Sequence, residues 1–320
     1  MILDAVLSRY PSPIASARWT ALGSAGGFSG SRIWRGDAAD GKSWAIKAHP
    51  HGMDAVHLSL VHQWMRTASG QLSFVPEIVP ARDGRTVVES DGRCWECVSW
   101  MPGLADFHSR PTDVKLQAAV QAIAQIHQVW FLVREGPCPA IQRRYAVLTK
   151  WSELVQRGWR PQLHATDPIA ASAQLAWETL PSLVPRMLAI LEPWLNRLVP
   201  IQPCIGDVWH DHILFQGDAV SGVIDYAAAK YDHVATDLAR LLGSMIPDDS
   251  ARIEVAIRAY TAIRPLPNPE LVAILDRSGV VASVANWLRR LYVAEEMVAD
   301  RGAVAKRLDG MVRRMRGFVL

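Results

Sequence analysis

Apolar and polar positions alternate through the first hundred residues and then recur at a helical interval through most of the remainder. Trp34 is followed by a polar turn holding Gly36, Asp37, Gly41 and Lys42, then by Ser43-Trp44-Ala45-Ile46-Lys47, which predicts a hairpin. Met53, Val56, Leu60, Val61, Trp64 and Met65 line one stripe, so residues 53–68 are expected to form a helix that Gly70 stops. Two β-like runs, 84–89 and 93–100, flank Asp91-Gly92, a strong tight-turn signal. Met101-Pro102-Gly103 then breaks the pattern, which places a boundary between a first part, 1–99, and a second, 100–320. In the second part apolar residues at 116, 120, 123, 126 and 130 predict a helix over 114–130. Residues 170–198 read as a long helical stretch with Pro181, Pro185 and Pro193 as breakers, and 237–245, 251–263 and 280–301 as further helices. Ile213-Leu214-Phe215 and Gly222-Val223-Ile224 flank Gly217-Asp218 as a small hairpin. The sum is an α+β chain in which a small β-rich lobe feeds a larger, mainly helical one.

Composition narrows the class. The 320 residues suffice for two packed lobes, and 50% hydrophobic with 20% charged residues is the mix of a soluble globular protein. A net charge of +3 argues against nucleic acid as a partner. Only the stretch 301–316 is dense in arginine, and there Val304, Leu308, Met311, Val312 and Met315 recur at helical spacing, so an amphipathic terminal helix with a solvated basic face is expected. Four cysteines fit a reducing cytoplasm better than a disulfide framework. Cys94 and Cys97 form a C-x-x-C, but on a strand their thiols point to opposite faces, so neither a zinc site nor a redox pair is expected. No apolar run approaches ~20 residues, so no membrane span is expected, and no basic leader opens the chain.

The chemistry concentrates in two short stretches. Gly206-Asp207 stands in a polar loop between apolar runs, and Asp225 ends the strand-like Val223-Ile224. Phosphoryl transfer needs one carboxylate to orient the acceptor hydroxyl and another to hold the cation that bridges the phosphates. An unpartnered acid after an apolar strand is costly to bury, and a divalent cation removes that cost; the plainer alternative is a turn cap at Asp207 and a structural acid at Asp225. Gly26, Gly27, Phe28, Ser29 and Gly30 form a Gly/Ser loop whose backbone N–H groups suit a phosphate. It is not a Walker A sequence, since no Gly-Lys-Ser/Thr closes it. Lys47 ends the apolar run Trp44-Ala45-Ile46, where it is a positive charge for the phosphates or a solvated strand end. His210-Asp211-His212 also admits an H-x-H metal-hydrolase reading, but the helical second half offers no further series of ligands.

These motifs, in this order, resemble the aminoglycoside phosphotransferase and choline kinase-type family of small-molecule kinases, which share the protein-kinase-like fold. The family's H-G-D loop with Asn five residues on corresponds to Ile205-Gly206-Asp207 and His212, and its I-D-[FWY] to Ile224-Asp225-Tyr226. Asp237-Leu238-Ala239 resembles its D-L-A helix start, where Asp237 is a candidate cap. Ala122-Ile123-Ala124-Gln125-Ile126-His127 resembles its L-A-x-L-H helix, and Trp100-Met101-Pro102-Gly103 its adenine-side hinge. The resemblance spans about residues 20–300 and implies an ATP-dependent phosphotransferase moving the γ-phosphate to a hydroxyl of a small molecule. It implies Asp207 as catalytic base and Asp225 with His212 as metal ligands. It also implies Lys47 on the phosphates, the glycine-rich loop around the nucleotide, and the backbones of Ser99 and Met101 against adenine. Cofactors would be ATP and a divalent cation, magnesium or manganese. Three departures stand out: Ile205 replaces the loop's histidine, His212 replaces the metal-ligating Asn, and helix 53–68 has no Glu for Lys47, only Asp54 near its start. They motivate an alternative, a nucleotide-binding pseudokinase with a regulatory role. Imidazole favours later transition metals over magnesium, so a ligating His212 predicts preference for manganese or cobalt; the alternative is a hydrogen bond within the loop. Trp287, Tyr292, Glu295 and Glu296, read on one helical segment, are candidates to border an acceptor that carries amines.

Overall fold

The computed structural model describes residues 2–23, 30–164, 166–298 and 300–318. In chain order the elements are α1 (Ile2–Leu7), α2 (Ser12–Ala15), β1 (Arg18–Gly23), β2 (Arg32–Asp37), β3 (Ser43–Ala48), α3 (Ala55–Ser69), β4 (Val88–Ser90) and β5 (Arg93–Ser99). There follow α4 (Asp113–Val129), β6 (Arg134–Pro137), α5 (Pro139–Gln156), α6 (Ala170–Leu191), β7 (Leu198–Cys204), β8 (Ile213–Gln216) and β9 (Ala219–Val223). The chain ends with β10 (Lys230–Asp232), α7 (Ala235–Met245), α8 (Ser250–Thr261), α9 (Glu270–Tyr292) and α10 (Arg301–Arg316).

The chain forms two compact units. One holds residues 1–131, 205–230 and 258–264, and so joins the first hundred residues with the loop and hairpin that carry Asp207 and Asp225. Its five-stranded sheet runs β1-β2-β3-β5-β4, antiparallel at every pairing. Alternation along β3 buries Trp44, Ile46 and Ala48 with Tyr10, Val88, Trp95 and Cys97 on one face. Lys47 leaves from the other face. Cys94 packs with Leu58 and Val87 while Cys97 joins the opposite cluster, so the two thiols diverge as strand geometry requires. The helix expected at 53–68 is α3, and Asp54 is its N-cap, accepting from the Val56 N–H at 2.8 Å.

The other unit holds residues 132–204, 231–257 and 265–320. Here α9 packs against α5, α6, α7 and α10, and Trp151, Trp159 and Trp177 meet edge to face with centroids 5.6–5.8 Å apart. The expected amphipathic terminal helix is α10, burying Val304, Leu308, Val312 and Met315. Among the described residues α9 alone is, by length and composition, long and apolar enough to cross a membrane, and more than half of that stretch is buried inside the protein.

Three expectations are corrected in this unit. Pro181 and Pro185 do not break the 170–198 stretch, because α6 runs through both. They lie on its exposed face, where water can reach the carbonyls they leave free, while Leu180, Leu183, Val184 and Met187 are buried opposite. The last long helix starts at Glu270 and stops at Tyr292, so Glu295 and Glu296 are not helical. The Ala294 and Glu296 N–H groups turn back onto the Arg289 and Arg290 carbonyls at 2.9 Å, with Glu295 in the left-handed region at φ 48°. Asp237 is no cap: it sits buried in the first turn of α7, whose N-cap is Val234.

Candidate active site

The site starts from a hairpin. β8 and β9 pair antiparallel with Ile213 opposite Val223, so the residues just outside them, His212 and Ile224, face each other. The Ile224 N–H donates to the His212 carbonyl at 2.9 Å, which brings His212 beside Asp225. The loop before β8 is held by its own polar groups. The Trp209 indole N–H donates to Asp207 Oδ1 at 2.8 Å, and the His212 N–H to the Trp209 carbonyl at 2.9 Å. Gly206 adopts φ +81°, and a Cβ there would lie 2.5 Å from the Ala228 carbonyl oxygen. Only glycine admits both that conformation and that approach.

Asp225 lies at φ +65°, uncommon for a non-glycine residue. Its Oδ1 accepts from Lys47 Nζ at 2.7 Å, so the lysine of β3 and the acid after β9 meet directly. Burial opposes ionisation of this carboxyl, but the charges of Lys47 and His212 and the Lys47 hydrogen bond outweigh it and hold Asp225 below its usual range. Its Oδ2 lies 3.9 Å from His212 Nε2. The ring's other nitrogen, Nδ1, is 2.9 Å from the Asp207 carbonyl oxygen, which can only accept, so Nδ1 carries the proton. Nε2 is then the nitrogen on the Asp225 side. A metal-bound histidine typically donates its far N–H to a carbonyl or carboxylate in this way. The donor set therefore fits a divalent cation between Nε2 and Oδ2. Of the two options foreseen for His212, the loop bond is present at Nδ1, while Nε2 stands on the Asp225 side.

Aromatic contacts brace the site from behind. Tyr226 meets Trp130 edge to face at 5.8 Å, and Trp130 donates its indole N–H to the Trp64 carbonyl of α3 at 2.7 Å. At the expected hinge, Leu104 and Phe215 exchange backbone hydrogen bonds at 2.9 and 3.0 Å, and Ser221 Oγ donates to the Pro102 carbonyl at 2.7 Å. The Ser99 N–H is engaged with the Glu77 carbonyl at 2.9 Å, and that of Trp100 with the Ser43 carbonyl. The Met101 N–H finds no partner among the described residues. Gly26, Gly27, Phe28 and Ser29 lie outside the described residues. Gly30, at φ +75°, accepts from Arg93 Nη1 at 3.2 Å and lines a hollow of about 540 Å³ with Ser31, Arg32 and Trp34.

The structure also reveals residues the motifs did not supply. Glu96 on β5 stands directly opposite Lys47 in the sheet, and His49 and His62 hold it at 3.0 and 2.6 Å. The available signal was an acid inside the apolar run Cys94-Trp95-Glu96-Cys97-Val98.

The model of the phosphotransferase enzyme family matches residues 20–307. The chain belongs to this family. A homoserine kinase of Rhodopseudomonas palustris is 27% identical over 256 residues, which cover 75% of this chain and 70% of that one. Among solved structures, a spectinomycin phosphotransferase in complex with ADP and spectinomycin aligns with TM-score 0.72 at 11% identity, over 98% of this chain and 97% of the other. A choline/ethanolamine kinase family protein from Mesorhizobium loti aligns with TM-score 0.61 at 14% identity, over 99% and 96%. The phosphotransferase thus has the α+β, protein-kinase-like fold that its motif order implied.

Proposed function

We propose that this phosphotransferase moves the γ-phosphate of ATP to a hydroxyl of a small amino alcohol or hydroxy amino acid, with Asp207 as base and Asp225 and His212 as cation ligands. Kinship with the phosphotransferase enzyme family and with homoserine kinases supports the reaction class. The observation that carries the site assignment is the 2.7 Å pair between Lys47 and Asp225, two residues 178 positions apart, beside a loop that presents Asp207 and His212. In this reading Asp207 orients the acceptor hydroxyl and takes its proton as the bond to phosphorus forms and the bond from the γ-phosphorus to the bridging oxygen breaks, with ADP as the leaving group. Lys47 neutralises phosphate charge, and the Met101 N–H hydrogen-bonds adenine. Gly26, Gly27, Phe28, Ser29 and Gly30 wrap the phosphates, and the Ser99 backbone borders the base. A bound divalent cation supplies charge neutralisation on the phosphate oxygens. Residues 1–99 act as the nucleotide lobe and 100–320 as the lobe of the catalytic loop and acceptor.

The test is ADP release from ATP across a panel of hydroxylated metabolites headed by homoserine, choline and aminoglycosides, run with manganese and with magnesium. Asp207→Ala is expected to lower turnover by ~10²–10⁴-fold, the range of a lost general base, with the melting temperature kept. Undiminished turnover in that variant refutes the assignment of the base. A regulatory pseudokinase has three observations in its favour: Ile205 in place of the loop's histidine, His212 in place of the metal-ligating Asn, and no Glu in α3 for Lys47. It requires nucleotide binding with no turnover on any acceptor.

A further inference from the structure

Lys47 has a second acid facing the same side of the sheet. Glu96 is its direct cross-strand partner, and directly paired residues project from one face. The Glu96 side chain is only 12% exposed, and an imidazole lies against each of its oxygens. His62 Nε2 stands 2.6 Å from Oε2, and His49 Nε2 3.0 Å from Oε1. His62 rises from α3 and is 1% exposed. In protein kinases the strand lysine pairs with a glutamate of the helix at this place in the fold, but α3 contains no acidic residue. Burial alone would push the Glu96 carboxyl up. The charges of His49 and His62 and the His62 hydrogen bond outweigh burial and hold it well below the usual range, so it is an anion. Its charge also reaches Asp225, whose ionisation it opposes.

Resting on the phosphotransferase reading, we propose that Glu96 is a positioning residue for Lys47, and that His62 couples it to α3. The fixed anion that the helix lacks is supplied by the neighbouring strand, and the helix grips it through an imidazole. The physical need follows from the resting ion pair. Asp225 is both the counter-charge of Lys47 and the group offered to the cation, so binding of metal and nucleotide must loosen the 2.7 Å bond between them. A second, immobile negative charge beside Lys47 favours that release. Glu96 acts here through its field and not through a bond, and without it the ammonium is committed to Asp225 alone.

The experiment is titration of the full-length protein with a fluorescent ATP analogue in the presence of manganese, alongside thermal melting. Glu96→Gln keeps size and hydrogen bonding and removes the charge. It is expected to weaken nucleotide binding about tenfold, the scale of one nearby charge, and to lower the melting temperature while leaving the protein folded at the assay temperature. His62→Gln, which retains a donor toward Glu96, is expected to bind near the parent level, whereas His62→Leu should match Glu96→Gln. The proposal is overturned if Glu96→Gln binds within twofold of the parent, or if His62→Gln and His62→Leu bind alike. Should Glu96→Gln not fold, the His62 pair decides. Loss of folding in all three assigns the cluster to stability alone and overturns it too. Failure of the underlying reading looks different: Asp207→Ala then keeps turnover, whatever these variants do to binding.

Discussion

At the residue scale the chemistry turns on His212. Its Nδ1 proton is fixed by the Asp207 carbonyl, and its Nε2 faces Asp225 at 3.9 Å. An imidazole ligand favours manganese or cobalt over magnesium, whereas an amide oxygen suits magnesium. His212→Asn is therefore expected to shift the ratio of manganese- to magnesium-supported turnover toward magnesium, measured by parallel metal titrations. An unchanged ratio would mean that His212 does not ligate. Asp207, Lys47, Asp225 and His212 were all legible as candidates: Asp207 and His212 stand in a polar loop that resembles the family's motif, and Lys47 and Asp225 end apolar runs where an unpartnered charge is costly. Glu96 breaks one as well, but its partners His49 and His62 are separated from it along the chain. Only the pairing of β3 with β5 and the docking of α3 bring them to it.

Elements carry the next set of consequences. The loop that carries Asp207 approaches residue 228 so closely that any Cβ at position 206 collides with its carbonyl. Gly206→Ala is expected to lower turnover at least tenfold and to cost about 1–3 kcal/mol of stability, the scale of a strained backbone site, as read by denaturant melts and ADP release. The contact of α3 with β5 has a pH signature. The Glu96 carboxyl is depressed in the folded protein against an unfolded value near ~4.3. Its contribution is therefore complete above that value and is lost as pH falls below it, because the unfolded chain then takes up a proton the folded one refuses. The gap in melting temperature between the parent and Glu96→Gln should narrow from ~pH 6 to ~pH 3. A constant gap would show that Glu96 is not preferentially ionised in the fold. Elements with a clean period were readable in advance: the β2–β3 and β8–β9 hairpins, α3, α4 and α10. The strand β7 was not, because Pro200 and Pro203 interrupt it, yet it pairs with β6 and β10. Nor was the reach of α6 through its prolines, since burial of one face outweighed the local cost at exposed positions.

On the scale of the whole molecule, each unit rests on its own core. The helical unit depends on Trp151, 3% exposed against Trp159 and Trp177. Its indole N–H is buried without an acceptor among the described residues. Trp151→Ala should destabilise by ~3–5 kcal/mol, while Trp151→Phe should cost clearly less, since it keeps a ring and removes an unpaired donor. Equilibrium unfolding of both variants checks this, and equal losses would refute it. The chain alone determined the class of fold, the order of the motifs and the four candidate residues of the site, because periodicity and misplaced polar residues are local properties of a sequence. The tertiary structure decided which nitrogen of His212 bonds within the loop and which faces Asp225, that Lys47 and Asp225 meet, and that Glu96 of a strand stands opposite Lys47 where α3 has no acid. Those outcomes depend on strand register and helix docking, which join residues tens to hundreds of positions apart and leave no periodic trace along the chain.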